Sequence, residues 1–299
     1  MFSGIRAQDN LFLSELGHIE NRISKINQQV TSGVRVAQAA DDPSAVMSIL
    51  QFQSQIDRLT QVNTNLQRAN TDILTADSAL GSASTILDRL NSLATRGMSD
   101  QSTADNRKDL SLEVESLENQ LVSIANTSIG DRYIFGGDTI NVPPYTFDPT
   151  KTNGAVTNLT NSNPTYLSDG NGSTILSGMT AKEIFDSPSG SIFKAVHDLS
   201  QALAGNDQAG IQTAVGSLKT AAAHLGQVTV FYGNVESWIT QSNENTANQL
   251  SALQESLSSI QDVDMPSAIT QLTANQTALQ VSLSAHASLS SKTLFDYLG

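Results

Sequence analysis

Four histidines, His18, His197, His224 and His286, are the side chains of this 299-residue chain best suited to proton transfer or metal binding near neutral pH. Their spacing serves neither role. No His-Glu-x-x-His pair places two imidazoles and a carboxylate on one helical turn, and the scatter points to solvent-facing or packing roles. Asp41 and Asp42 are an acidic pair of the kind that can share a proton or a cation, yet Pro43 follows them. That order is helix-cap chemistry: Asp42 accepts from backbone N–H groups and Pro43 takes the first helical position. Gly170-Asn-Gly172 lacks the third glycine and the strand-to-helix setting of a dinucleotide loop, so it reads as a turn. Neither a Gly-x-Ser-x-Gly elbow nor a Walker loop occurs, and the absence of cysteine removes thiolate metal sites, disulfides and cysteine nucleophiles. Asn158-Leu-Thr160 and Asn171-Gly-Ser173 match the glycosylation acceptor pattern, but in a stretch this rich in Asn and Ser such matches arise by chance. The expectation is a chain with no catalytic, cofactor or metal site.

Composition narrows the partners. A formal net charge of −13 and a pI near 4.5, without a basic patch, argue against nucleic acid and anionic membranes. The apolar 38% is rich in Leu, Ile and Ala, with one Trp and 5% aromatics, as in long helical bundles. Nothing approaches the length of an apolar membrane span, and the opening residues carry no apolar signal run. A soluble protein is expected, either cytoplasmic or exported by a route that does not read such signals.

The elements that would position any site are helices. Leu59, Val62, Leu66, Ala69, Ile73, Ala76, Leu80, Ala83, Leu87, Leu90 and Ala94 alternate three- and four-residue steps, a heptad seam on one long helix opening at Asp42-Pro43. Some fifty residues at 1.5 Å each make a rod of roughly 75 Å, which needs partner helices. Phe12, Leu16, Ile19, Ile23, Ile26 and Val30 give residues 11–32 a narrow seam of their own, closed by Gly33. Residues 104–126 read as a third helix folded back on the rod, with Leu110, Val114, Leu117, Leu121 and Ile124 inward. From residue 130 the pattern turns to Gly, Asn, Thr and Ser, with strands predicted at 133–135, 145–147, 155–159 and 173–176. Helical patterning resumes over 192–203 and 207–255, and Pro266 marks a break before a last helix over 266–291 with Ile269, Leu272, Leu279 and Leu283 on one stripe.

The plan is mainly α: an elongated antiparallel helical bundle, N- and C-terminal helices paired at one end and a small β-rich inserted domain at the other. Residues 1–42 with 264–299 form the terminal domain, 43–130 with 190–263 the rod, and 131–189 the insert. Leu16, Ile19, Ile23, Ile26, Leu272, Leu279 and Leu283 are the candidate subunit interface, since exposed apolar seams seek partners. The alternative is that the two terminal helices cover each other within one molecule. Leu294, Phe295 and Leu298 are either part of the same interface or a frayed end.

Three motifs follow in order: Ile26-Asn-Gln-Gln-Val-Thr-Ser-Gly-Val-Arg35 with Ala39-Ala-Asp-Asp42, Leu87-Asp-Arg-Leu-Asn-Ser-Leu-Ala94, and Ile260-Gln-Asp-Val-Asp264. Together they resemble the flagellin superfamily of bacterial flagellar axial proteins over essentially the whole chain. Asp41-Asp-Pro-Ser-Ala45, Gly130-Asp-Arg-Tyr-Ile-Phe-Gly-Gly137 and Leu294-Phe-Asp-Tyr-Leu298 are similar to the hook–filament junction branch of that superfamily, while Met1-Phe-Ser-Gly-Ile5 departs from that branch's usual start. The resemblance implies a non-enzymatic structural subunit exported unfolded by the flagellar type III system to an extracellular position. It implies self-association into a ring or helical array, contacts with an adjacent hook-associated junction protein and with flagellin, and an export chaperone. A filament-forming flagellin is the alternative it leaves open.

Overall fold

The computed structural model describes residues 2–151, 154–158, 162–170, 172–188 and 190–298, with side chains described throughout these except at 2–8, 156–157 and 289–298. Two compact units emerge, Met1–Asp57 with Leu250–Gly299, and Arg58–Gln249.

The second unit is built on the heptad seam. Helix α1 spans Phe2–Ser32 and α2 Pro43–Met98, without an interrupting proline. From Leu59 to Ala94 every seam position of α2 is buried except Val62 and Ala69, which are half-buried. A polar turn then reverses the chain. Thr103 caps α3 (Ala104–Ala125) by accepting from Asn106 N, and Arg107 reaches back to donate to the Gly97 carbonyl at 2.8 Å. Arg89 and Glu113 pair farther along, so α3 lies antiparallel to α2. Helices α4 (Ala181–Phe185), α5 (Ile192–Ala204) and α6 (Gln208–Gln261) follow, and α7 runs Met265–Leu298. The inward faces of α3, α5 and α6 supply Val114, Leu121, Leu199, Leu218 and Ile239 to the core that covers α2.

Among the described residues, the segment between α3 and α5 holds four separate antiparallel pairs. These are β1 (Ser128–Ile129) with β2 (Arg132–Tyr133), β3 (Tyr145–Phe147) with β4 (Ala155–Thr157), β5 (Thr165–Ser168) with β6 (Thr174–Gly178), and β7 (Asp186–Ser187) with β8 (Gly190–Ser191). Phe135, placed in a strand by its β-prone neighbours, instead sits in a turn and enters the core. It meets Phe185 edge-on at 5.8 Å and Tyr232 at 6.5 Å, while Phe185 stacks on Phe193 and Phe193 meets Tyr145 at 4.7 Å. These fully buried rings anchor the irregular segment, which has too little strand to hold itself. The Gly136-Gly137 pair has a steric reason: Gly137 has φ +64, and a Cβ there would strike the Asn163 carbonyl.

In the first unit α1 begins well before the predicted Leu11, and α7 continues past the predicted residue 291. The two helices pack against each other, antiparallel, since Asp9 and Phe12 meet His286 while Val34 meets Asp262.

Leu87→Ala or Leu90→Ala removes a fully buried side chain from the middle of the seam. Each is expected to lower the unfolding free energy of the second unit by about 2–5 kcal/mol, read from denaturant unfolding. A loss below about 0.5 kcal/mol would contradict the packing described.

Candidate assembly surface

The predicted interface residues belong to the first unit, and its geometry starts from a clasp between the two linkers. Gly33 ends α1 with φ +73, a conformation that favours glycine. Val34 then pairs antiparallel with Asp262, and Val263 N–H donates to the Gly33 carbonyl at 3.0 Å. Arg35 N–H donates to Gln261 O at 2.7 Å, and the Arg35 guanidinium donates to Ile260 O at 2.6 Å. Beneath the clasp Val36, Ala45 and Ile49 are buried against Val46, Leu257 and Ile260.

The acidic pair secures this turn. Asp42 Oδ1 accepts from the Ser44 hydroxyl at 2.7 Å and from Ala45 N–H at 3.1 Å, while its carbonyl takes the first helical bond from Val46, with Pro43 at the head of α2. Asp41 Oδ2 accepts from Ala37 and Gln38 N–H, and Oδ1 lies 2.9 Å from Lys25 Nζ. The bond from Lys25, then that from Gln38, holds the Asp41 carboxyl below its usual range; the Ser44 hydroxyl, then the Ala45 amide, does the same for Asp42. Both folded values lie below the ordinary 3.8, so their contribution is complete above that pH and is lost only as strong acid protonates them.

Of the α1 seam, Ile19 and Ile26 are buried and Phe12, Leu16, Ile23 and Val30 half-buried. Facing it on α7 are Ala268, Leu272, Asn275, Leu279, Ser282 and His286, a four-three alternation of buried or half-buried positions. His286 stacks on Phe12 at 4.0 Å and lies 3.9 Å from Asp9. Two residues of the predicted α7 stripe stay outside this contact. Ile269 and Leu283 stand 50% and 48% exposed, because the contact follows the row through Ala268, Asn275 and Ser282, whose small side chains let the helices approach. Leu272 and Leu279 lie on that row. The side chains of Leu294, Phe295 and Leu298 fall outside the described ones.

A second apolar face of α7 was not read from the sequence. Ile269, Thr273, Ala274, Thr277, Ala278 and Val281 line one shallow surface on the side away from α1. Its signal was present as four-residue steps through Ile269, Thr273, Thr277 and Val281, but threonine and alanine do not register as a seam. Leu11 and Leu13 of α1 are also open, at 64% and 61%. Among the described residues no cluster of three or more metal-ligating side chains occurs, and no helix is long and apolar enough to cross a membrane.

Compared with known proteins, residues 7–139 match the bacterial flagellin N-terminal helical region and residues 209–298 the bacterial flagellin C-terminal helical region. The chain belongs to the bacterial flagellin family. Flagellar hook-associated protein 3 of Escherichia coli K12 is 25% identical in an alignment covering 91% of each chain. The flagellin of Clostridium tyrobutyricum is 32% identical over 108 residues, 36% of this chain and 29% of that one. The chain thus spans under a third of that flagellin but nearly the whole hook-associated protein. Among solved structures, a flagellar hook-associated protein of Vibrio parahaemolyticus superposes with a TM-score of 0.66 at 17% identity, covering 74% of this chain and all of that one. Hook-associated protein 3 of Legionella pneumophila superposes with a TM-score of 0.63 at 14% identity, over 71% and 98% of the two chains. The fold of this flagellin-family chain is that of the hook-associated proteins, and its alignment with one of them spans 91% of both chains.

Ile19→Asp and Ile26→Asp each place a carboxylate in the α1–α7 contact, where a buried unpaired charge is strongly disfavoured. Both are expected to raise amide exchange across α1 and α7 by at least tenfold while leaving α3 and α5 protected. Unchanged exchange in α1 and α7 would show that these residues do not hold the pair.

Proposed function

We propose that the chain is the flagellar subunit that joins hook to filament. The single observation that carries this reading is the length-wide homology to hook-associated protein 3, set against flagellin matches confined to a fraction of the chain. The protein is a building block and not an enzyme. It leaves the cell unfolded through the flagellar type III export system, escorted by a chaperone, and sits outside between an adjacent hook-associated junction protein and flagellin.

Assembly proceeds through the terminal helices. Leu16, Ile19, Ile23, Ile26, Leu272 and Leu279 set the α1–α7 pair as a unit, and Leu283, with Leu294, Phe295 and Leu298, meets neighbouring copies. What supports this is the unpartnered outer face of α7, together with exposed Leu11 and Leu13 on α1. Stacked side by side, such faces remove apolar area from water at roughly 25 cal/mol per Å², and a closed or helical array repeats the gain at every subunit. A filament-forming flagellin is the competing reading, favoured by the 32% identity to the Clostridium tyrobutyricum protein.

Deleting the gene is expected to leave hooks without filaments and to release flagellin into the medium, with the protein itself a minor band of sheared wild-type flagella. Normal filaments on the deletion strain would reject the junction role, and a major band would favour the flagellin reading. Thr273→Asp and Val281→Asp, on the outer face of α7, are expected to preserve the circular dichroism of the soluble chain and abolish complementation. Full swimming in both variants would remove that face from the interface.

A further inference from the structure

One buried titratable pair takes no part in this assembly reading. Glu118 of α3 is 1% exposed and His197 of α5 is 8% exposed, and Glu118 Oε1 lies 3.4 Å from His197 Nδ1. Neither carboxylate oxygen has a hydrogen-bond partner, and nor does that ring nitrogen. The distance exceeds a normal hydrogen bond. An ionised Glu118 beside a neutral His197 would therefore be a charge in the interior with nothing to compensate it.

The third party is the β3–β4 hairpin. Gly154, with φ +63, presses its backbone so close that a Cβ would fall on the Glu118 carboxylate. Ala155 and Tyr145 beside it are buried at 2% and 1%. The hairpin is short, and beyond its three paired positions it is tied down by Asn126, which donates to Tyr145 O at 2.8 Å and accepts from Tyr145 N–H at 2.9 Å. The hairpin enters the main core through Tyr145 and Ala155, with Phe147 packed against it, whereas α3 and α5 line that core along their lengths. Of the elements around the carboxyl, the hairpin is the one that can move at least cost.

We propose that the β3–β4 hairpin is a proton-held cover on the seam between α3 and α5, closed while the Glu118 carboxyl keeps its proton and open when that carboxyl ionises and seeks water. The surrounding charges do not offset this. Glu115 on α3 adds like charge, Lys194 and Asp198 on α5 are bound to each other at 2.8 Å, and the hairpin loop carries Asp148 beside Lys151. Burial, then Glu115, raises the Glu118 carboxyl from 4.5 to about 8, and burial depresses His197 below 6.5. The closed state therefore binds more protons at Glu118 and fewer at His197 than the open one. Below pH 6.5 the two slopes oppose each other. From there to about pH 8 Glu118 dominates, and closure weakens about tenfold in all, since Glu118 is half-ionised at the upper limit and the last of the His197 titration offsets about twofold.

Amide exchange of the full-length chain tests this at Asp148 and Gly154, whose N–H groups are bonded across the hairpin loop. After correction for intrinsic base catalysis, their protection is expected to fall about tenfold from pH 6.5 to 8, while that of Glu118→Gln does not fall. Equal falls in both proteins, or none in the wild type, overturn the proposal. Should Glu118→Gln fail to fold, the carbon-13 titration of the Glu118 carboxyl in the wild type decides. A midpoint near 8 with protection falling in step supports the cover, and a midpoint near the ordinary 4.5 rejects it. The test is independent of the hook–filament assignment, since it reads the soluble monomer.

Discussion

An apolar seam that repeats every three and a half residues along a 56-residue helix has to be covered wherever it runs. In the second unit this requirement dictates the rest. It calls α3 back antiparallel, brings α5 and α6 onto the same core, and leaves the connecting segment to fit around what remains. The seam residues Leu66, Leu80, Leu87 and Leu90 are almost wholly removed from water, each contributing on the order of 2 kcal/mol of transfer free energy. Nothing in the irregular segment approaches this. It is held by rings that enter the helical core, Phe135, Phe185 and Tyr145, and by turns that only glycine can make at Gly137 and Gly154.

The first unit solves the same problem with less material. Two terminal helices turn their narrow seams toward each other, and the contact is only half-buried at Leu16, Ile23, Leu272 and Leu279. The clasp at Gly33 and Gln261 fixes the register of the two chain reversals, and Asp41 and Asp42 keep it charged and bonded across the ordinary pH range. What stays open is the Thr- and Ala-rich outer face of α7, small enough in side-chain size for another helix to approach closely. In a chain with this arrangement and a flagellin-family sequence at both ends, the histidines and the acidic pair are engaged in packing and capping. His286 stacks on Phe12, His224 meets the Glu183 carbonyl at 2.9 Å, and Asp42 caps a helix.

How much could be read in advance follows from periodicity. Helices announced themselves, because Leu59 through Ala94 and Phe12 through Val30 repeat strongly enough to outweigh local noise. The cap at Asp42-Pro43 and the stop at Gly33 were equally plain, since each depends on one residue's own backbone chemistry. The segment from 128 to 191 was legible only as irregular. Its strands are two to five residues long, too short for alternation to register, and its stability comes from long-range ring contacts that no local window contains.

The sequence by itself determined which long stretches are helical, where the cap at Asp42-Pro43 and the stop at Gly33 fall, and that apolar stripes exist to be covered, because those properties reside in spacing and in single-residue conformational preference. Only the tertiary structure decided which stripe meets which. It set Leu272 and Leu279 toward α1 and left Ile269 and Leu283 outside, it buried Glu118 beside His197 under Gly154, and it drew Phe135 out of its expected strand. Those outcomes depend on the size of residues far apart in the chain, and on which neighbour can come close enough, so they take form only when the elements pack.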